Sequence, residues 1–268
     1  LVYTPHGHVF YGYFGKALTG FIVTCERIAA RMTERIVGLT PAECEEWLRA
    51  GVGRREQYTV IPSGVDFDHM EKEAERGKYW REEMRIPREK VLVGAIGRFI
   101  KIKGFEFFID AACRQIRKRD DIYFVLAGDG PLRKEFEEKI KDMDIEERFR
   151  IVGWQEHTAA MIESLDLFVL SSLNEGMGRV LIEAMYFKKP VIATRVGGVP
   201  SVLAGGAGRL VEPASSSAIS GAIDEVLEDR HNALEMGFRG HDKAVAEYSS
   251  GKMIEKLDSL YRELLSKG

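Results

Sequence analysis

From Val91 onward, short and largely apolar runs alternate with longer amphipathic stretches, and that alternation admits few folds. The runs are Val91–Ile96, Ile122–Ala127, residues 150–152, residues 166–170, Val191–Thr194 and a last short one, Arg209–Val211. Between them lie helical patterns, clearest at residues 103–119, where Phe105, Phe108, Ile109, Ala112 and Ile116 share one face. Strands that are apolar on both faces belong in a parallel sheet covered on both sides by crossover helices. The expected fold class is therefore α/β, of the Rossmann type.

Upstream, Phe14, Leu18, Phe21, Ile22, Cys25, Ile28, Ala29 and Met32 recur at spacings of three and four, a helical pattern. Residues 35–39 read as a short strand. Thr40, Pro41 and Glu43 then supply an N-cap, a first-position proline and a capping-box acid. Residues 58–61 form another strand candidate, ended by Pro62-Ser63-Gly64. Residues 67–90 turn charge-rich and are expected to link two domains.

A chain of 268 residues accommodates one large or two medium domains. Its net charge of −3 offers no global attraction to nucleic acid. Cys25, Cys44 and Cys113 have no paired spacing, which argues for reduced thiols rather than a disulfide frame or a zinc site. No apolar run of about eighteen residues occurs, so no bilayer-spanning helix is expected.

In an open parallel sheet, ligands bind outside the carboxyl ends of the strands. The unusual residues collect at those ends: Gly97-Arg98 with Lys103-Gly104, then Gly128-Asp129-Gly130, Gly153-Trp154, Ser171-Ser172, and Gly197-Gly198. The densest stretch is Ser171 to Met185, SSLNEGMGRVLIEAM, a strand end passing through a glycine turn into a helix. Unpaired N–H groups and the helix dipole favour a phosphate at such a helix start. The P-loop pattern is absent, and Gly176-Met177-Gly178 lacks the third glycine of a dinucleotide fingerprint. Asp66-x-Asp68 and Asp142-x-Asp144 read as solvated surface charge rather than metal ligands.

Glu175 and Glu183 bracket the turn. As a helix their separation would rise about 12 Å, beyond the about 5–9.5 Å of a glycosidase pair. They fit better as acceptors for hydroxyl groups beside a phosphate. Glu183 lies among Leu181, Ile182, Ala184 and Met185, where a buried carboxylate needs a ligand or a salt bridge.

Taken together, Gly97-Arg98-x4-Lys103-Gly104, AGDGPL from Ala127, EGMGRVLIEAM from Glu175 and KPVIATRVGGVPSVL from Lys189 resemble the nucleotide-sugar half of retaining glycosyltransferases of family 4. TPHG from Thr4 and VIPSGVDF from Val60 are similar to the end of that family's acceptor domain and its hinge, with Ser63 where the family usually has Asn. The resemblance implies a GT-B fold of two Rossmann-like domains. Residues 1–66 would be the carboxyl-terminal remnant of the acceptor domain, 67–90 a linker, and 91–248 the donor domain. Residues 249–268 would be a helix crossing back, with the opening part of the acceptor domain outside this sequence.

The resemblance also implies a retaining, metal-independent transfer from a nucleotide-diphosphate sugar to a hydroxyl acceptor, in polysaccharide or glycolipid synthesis. No cofactor is implied. The donor would be a UDP-sugar, with a GDP-sugar as the alternative. Arg98 and Lys103 would hold the diphosphate, helped by backbone N–H groups of Gly178, Arg179 and Val180 at the helix start, with Gly176 and Met177 of the preceding turn beside the nucleotide. Glu183 would accept from the ribose, Glu175 from the sugar, Gly153 and Trp154 would flank the base, and His6 would reach the donor sugar across the cleft.

The partners implied are the donor and a carbohydrate or lipid-linked acceptor, with no nucleic acid. The aromatic cluster Phe10, Tyr11, Tyr13 and Phe14 with Lys16 suggests peripheral contact of a cytoplasmic protein with a membrane surface. Two other readings stay open: a nucleotide-sugar-binding module without turnover, and a Rossmann oxidoreductase.

Overall fold

Successive residues of the central strands point to opposite apolar layers, which is why those runs carry no polar face. The computed structural model describes residues 1–5, 15–76, 79–155 and 157–266, leaving aside the side chains of residues 16 and 76. Among these residues the strands form two parallel sheets.

The smaller sheet has the order β1 (Val2–Tyr3), β2 (Arg35–Gly38), β3 (Tyr58–Val60). The crossovers are α1 (Lys16–Arg31) and α2 (Pro41–Arg49). Thr40 caps α2, its hydroxyl accepting from the Glu43 N–H at 3.2 Å. On one face Ala30, Ile36, Trp47 and Val52 form a small core. The apolar stripe read on α1 is turned outward: Leu18, Phe21, Ile28 and Met32 are exposed. The period was right for a helix, but the face packed on the sheet is the one carrying Val23 and Ala30.

The charge-rich stretch expected as a linker contains α3 (Phe67–Arg76) and α4 (Trp80–Glu83). Phe67, Met70, Ala74 and Trp80 bury against the main core, Glu73 accepts from the Ala159 N–H at 3.0 Å, and Asp68, Glu71, Lys72 and Glu75 are exposed. Few apolar positions among many charged ones make that pattern read as polar.

The larger sheet comprises β4 (Val91–Ile96), β5 (Ile122–Ala127), β6 (Phe149–Val152), β7 (Leu167–Leu170), β8 (Val191–Thr194) and β9 (Arg209–Val211). Their spatial order is β6-β5-β4-β7-β8-β9, so chain direction across the sheet reverses between β4 and β7. Helices α5 (Phe105–Lys118) and α6 (Arg133–Asp142) follow β4 and β5; α7 (Thr158–Ser164), α8 (Arg179–Tyr186) and α9 (Val199–Val202) follow β6, β7 and β8. The α/β expectation holds, and the four central strands β5, β4, β7 and β8 show the two-sided burial. Val93, Ala95, Phe124, Leu126, Leu167 and Val169 join one layer with Phe105, Phe108 and Ile109 of α5. Leu92, Val125, Ala127, Phe168 and Leu170 join the other with Leu181 and Ile182 of α8.

The carboxyl-terminal part adds α10 (Ser216–Glu228), α11 (Arg230–Tyr248) and α12 (Ser250–Leu265). The chain passes between the sheets near Val65 and again near Ser249, and the two crossings are bonded. Val65 N–H donates to Tyr248 O at 2.8 Å, and Ser250 N–H donates to Val65 O at 2.9 Å. Beyond this point α12 lies on the smaller sheet, where Leu260 packs with Val37 and Ile61 and Glu263 pairs with Arg35 at 3.0 Å. Leu260→Ala is expected to remove about 2–5 kcal/mol of stability, read as an earlier urea transition. Among the described residues no helix is long and apolar enough to cross a membrane.

Candidate active site

The reversal of strand order between β4 and β7 opens a crevice at their carboxyl ends. A cavity of about 590 Å³ lies there, lined from the segment after β4 by Arg98 and Lys103, and from the β7–α8 turn by Glu175. Arg179, Val180 and Glu183 of α8 and Trp154 after β6 complete the wall.

The turns that carry these groups touch backbone to backbone. Gly104 has φ +60°, and a Cβ there would sit 2.2 Å from Ser171 O. Gly197 has φ +48°, and its Cβ would sit 1.9 Å from Glu175 O. Only glycine permits both the left-handed backbone and the contact. The Glu175 turn is thus held from below by the 197–198 turn, whose Gly198 N–H donates to Glu175 O at 3.2 Å. Ser171 Oγ donates to Lys103 O at 3.0 Å and joins the same bundle.

Lys103 Nζ donates to Glu175 Oε2 at 2.6 Å, and Ser172 Oγ donates to the same oxygen at 3.1 Å. Both ionic side chains are largely covered, at 22 and 16 % exposure. The pair stands at the cavity wall, where a ligand that matches either group better can take its place. Arg98, by contrast, lines the cavity, is exposed, and has no carboxylate partner among the described residues. A dianionic group entering the crevice therefore meets a free guanidinium and a lysine that can be drawn off Glu175.

Glu183 is paired with Arg179 one helical turn earlier, Nε to Oε1 at 3.3 Å. Burial pushes its carboxyl pKa above the ordinary 4.5, with Glu73 adding to the rise, while Arg179 pulls it down. The folded state then holds the Glu183 proton more tightly than the unfolded chain does. Stability from this group is full below about pH 4.5 and declines as pH climbs toward the raised folded value. Glu183→Gln is expected to flatten that decline, which denaturation curves between pH 4 and 7 on the two proteins would reveal.

At the start of α8 the first N–H groups have no partners within the helix. Gly178, with φ +73°, aims that end at the cavity. Trp154 stands at the mouth with 84 % of its surface exposed, an open aromatic face beside the pocket.

A family model, glycosyl transferases group 1, matches residues 78–242, more than half of the chain. The chain belongs to the glycosyl transferases group 1 family. Its likeness to the carboxyl-terminal domain of a group 1 protein, LpcC from Francisella tularensis, is 30% identity with a TM-score of 0.61, covering 70% of this chain and 100% of that one. Alpha-D-kanosaminyltransferase from Streptomyces kanamyceticus is 29% identical over 89% of this chain and 63% of its own length. HepE from Anabaena, solved with UDP and glucose, has a TM-score of 0.84 over 97% of this chain and 71% of that chain, at 21% identity, which bears on fold alone. The group 1 chain spans about half to two thirds of the curated relatives it matches, with shares of 63, 53 and 46% for three of them.

Of the residues singled out in the sequence, the group 1 fold brings Arg98, Lys103, Trp154, Glu175, Gly178, Arg179, Val180 and Glu183 to one cavity. Gly153 and Gly176 adjoin the lining, Gly153 O accepting from Gln155 Nε2 at 3.2 Å and Gly176 O lying against Gly198. The Met177 side chain is buried in the core at 4 % exposure, so its backbone alone is available to a ligand. His6 lies outside the described residues, as do Phe10, Tyr11, Tyr13 and Phe14.

Sequence reasoning passed over Gln155 and Thr158, which also line the cavity. Gln155 accepts from Trp80 Nε1 at 2.9 Å, tying the 153–155 turn to α4. Its position directly after Gly153-Trp154 was the available signal. Its partner, in the stretch read as a linker, was not apparent.

Proposed function

We propose that the chain carries the donor-binding part of a retaining, metal-independent glycosyltransferase of family 4. It moves a sugar from a nucleotide-diphosphate sugar to a hydroxyl acceptor. The observation that carries this reading is the convergence of Arg98, the Lys103–Glu175 pair and the α8 amino terminus at one crevice.

On this reading the diphosphate lies between Arg98, Lys103 and the N–H groups of Gly178, Arg179 and Val180. Lys103 leaves Glu175 for phosphate, and Glu175 becomes free to accept from a sugar hydroxyl. Glu183 accepts from the ribose, and the base stacks on Trp154 beside Gly153. His6 reaches the sugar from the opposite side.

The bond between the anomeric carbon and the phosphate oxygen breaks, its electron pair going to phosphate. The acceptor oxygen then bonds to the same carbon on the same face, and its proton passes to the departing phosphate. Negative charge grows on phosphate in the transition state, where preorganised cations and N–H dipoles stabilise it most.

Residues 1–66 would then be part of an acceptor domain, 67–90 the helical connection, 91–248 the donor domain and 249–268 the return. A UDP-sugar is favoured, supported by the UDP-Gal donor named for the Escherichia coli relative; a GDP-sugar is the lesser alternative. The acceptor is a carbohydrate or a lipid-linked intermediate, a class named in the Escherichia coli relative that acts on a diphosphoundecaprenol-linked sugar. The protein works in the cytoplasm, in peripheral contact with the membrane face where such acceptors reside.

A panel of UDP-, GDP- and ADP-sugars in a thermal-shift assay tests the donor site. A ligand at a hundred times its dissociation constant adds about 2.7 kcal/mol of stability. Glu183→Ala should weaken nucleotide binding, and Glu175→Ala should chiefly slow transfer. A full-length protein that binds donor yet neither transfers nor hydrolyses sugar would reduce the reading to a binding module.

A further inference from the structure

A second cavity, of about 490 Å³, opens at the opposite end of the larger sheet, where β4, β7 and β8 begin. The length of β4, six residues, puts it about 20 Å from the crevice. Six basic side chains line it: Arg88, Lys90, Arg119, Lys188, Lys189 and Arg230. The acids in the lining are Glu89 and Asp166. In a chain whose net charge is −3, this is a strong local excess of the other sign.

The internal pairing leaves much of that charge uncompensated. Arg88 is held by Glu82, and Arg119 by Asp121 at 2.6 Å. Asp166 is engaged by Arg81 and by the Leu92 N–H. The remaining four cations have no carboxylate partner among the described residues. Lys90 and Lys189 donate to the backbone carbonyls of Asp120 and Glu163. Lys188 lies 5.3 Å over the Phe238 ring, and Arg230 extends from the first turn of α11. Burial pushes the Lys189 pKa down, although Asp166 and Glu163 oppose the shift, so this ammonium gains from any added negative charge.

The site is also rigid. Lys188 sits in the left-handed region at φ 55° and closes α8, its N–H bonded to Met185 O at 2.9 Å. Its carbonyl packs on Gly237 of α11, where a Cβ would come within 2.2 Å of the oxygen. Leu234 and Phe238, both more than half exposed, add an apolar rim. Mutually repelling cations fixed around a concavity are stabilised when an anion enters.

We infer that this rear cavity is a second anion site, built for a phosphate-bearing ligand of multiple negative charge. The concave shape suits a phosphate group that can enter the pocket, as a dissolved phosphate ester or a lipid headgroup, with the apolar rim beside its organic part.

Inorganic pyrophosphate is the probe, titrated by calorimetry at low salt into the intact chain and two double variants. Lys188→Ala/Arg230→Ala should bind at the rear site at least about tenfold more weakly, the equivalent of losing one charge-assisted hydrogen bond. Arg98→Ala/Lys103→Ala should retain the rear event, whether or not the crevice binds donor. Lys188→Arg/Arg230→Lys should restore affinity and shows that a loss in the alanine variant comes from charge rather than misfolding. Co-sedimentation with phosphatidylglycerol vesicles, lost in the same alanine variant, would assign the phosphate to a headgroup. Equal pyrophosphate and vesicle binding by the intact chain and the alanine variant overturns the inference, as does binding lost in the crevice variant alone.

Discussion

Lys103→Ala is expected to slow sugar transfer by about two to three orders of magnitude, the usual loss when one preorganised donor to developing charge is removed. The effect should fall on kcat more than on KM, because the ammonium is worth most when the phosphate leaves. The substitution also strips Glu175 of its 2.6 Å partner, leaving Ser172 Oγ beside the carboxylate at 3.1 Å. For that reason Lys103→Ala and Glu175→Ala should not combine additively, and the double variant should lose less than the product of the two single losses. Steady-state kinetics on the full-length protein with a saturating acceptor reads both outcomes. A Lys103→Ala enzyme within tenfold of the parent would take Lys103 out of the chemistry.

Gly197→Val should be severely damaging with no new charge involved. The side chain would have to hold φ near +48° and occupy space 1.9 Å from Glu175 O. Left-handed backbone at a β-branched residue and overpacking each cost about 1–3 kcal/mol, so a total loss of about 2–6 kcal/mol is expected. The clash is with the turn that carries Glu175, so ligand binding should fail even where the protein stays folded. Urea denaturation and nucleotide thermal shifts on the same preparation separate the two losses. Normal nucleotide binding in this variant would mean that the 175–178 turn has room to move.

The larger sheet was readable because its signals are local. Val91–Ile96 and Ile122–Ala127 are apolar on both faces, and Phe105 through Ile116 follow one helical face. The glycines that end the strands lie within each turn. What escaped depends on residues far apart in the chain. Lys103 and Glu175 are separated by 72 positions, and neither carries a mark of the other. The bond from Trp80 to Gln155 likewise joins a segment dismissed as polar to the rim of the site. Helix α1 shows a different limit. Leu18, Phe21, Ile28 and Met32 have the right period, but periodicity does not say which side of a helix meets its sheet.

The return of α12 to the smaller sheet has a consequence for the order in which the protein can be made. Arg35 and Glu263 are paired across 228 residues, and Leu260 supplies part of the core under β2 and β3. Those strands leave the ribosome early, yet the helix that covers them is translated after the entire larger sheet. At about 5–20 residues per second, the uncovered face waits on the order of tens of seconds for its lid. During that interval Val37 and Ile61 are open to other nascent chains. The smaller sheet, translated before the larger one, is therefore completed after it, and the demand for chaperones during translation falls there.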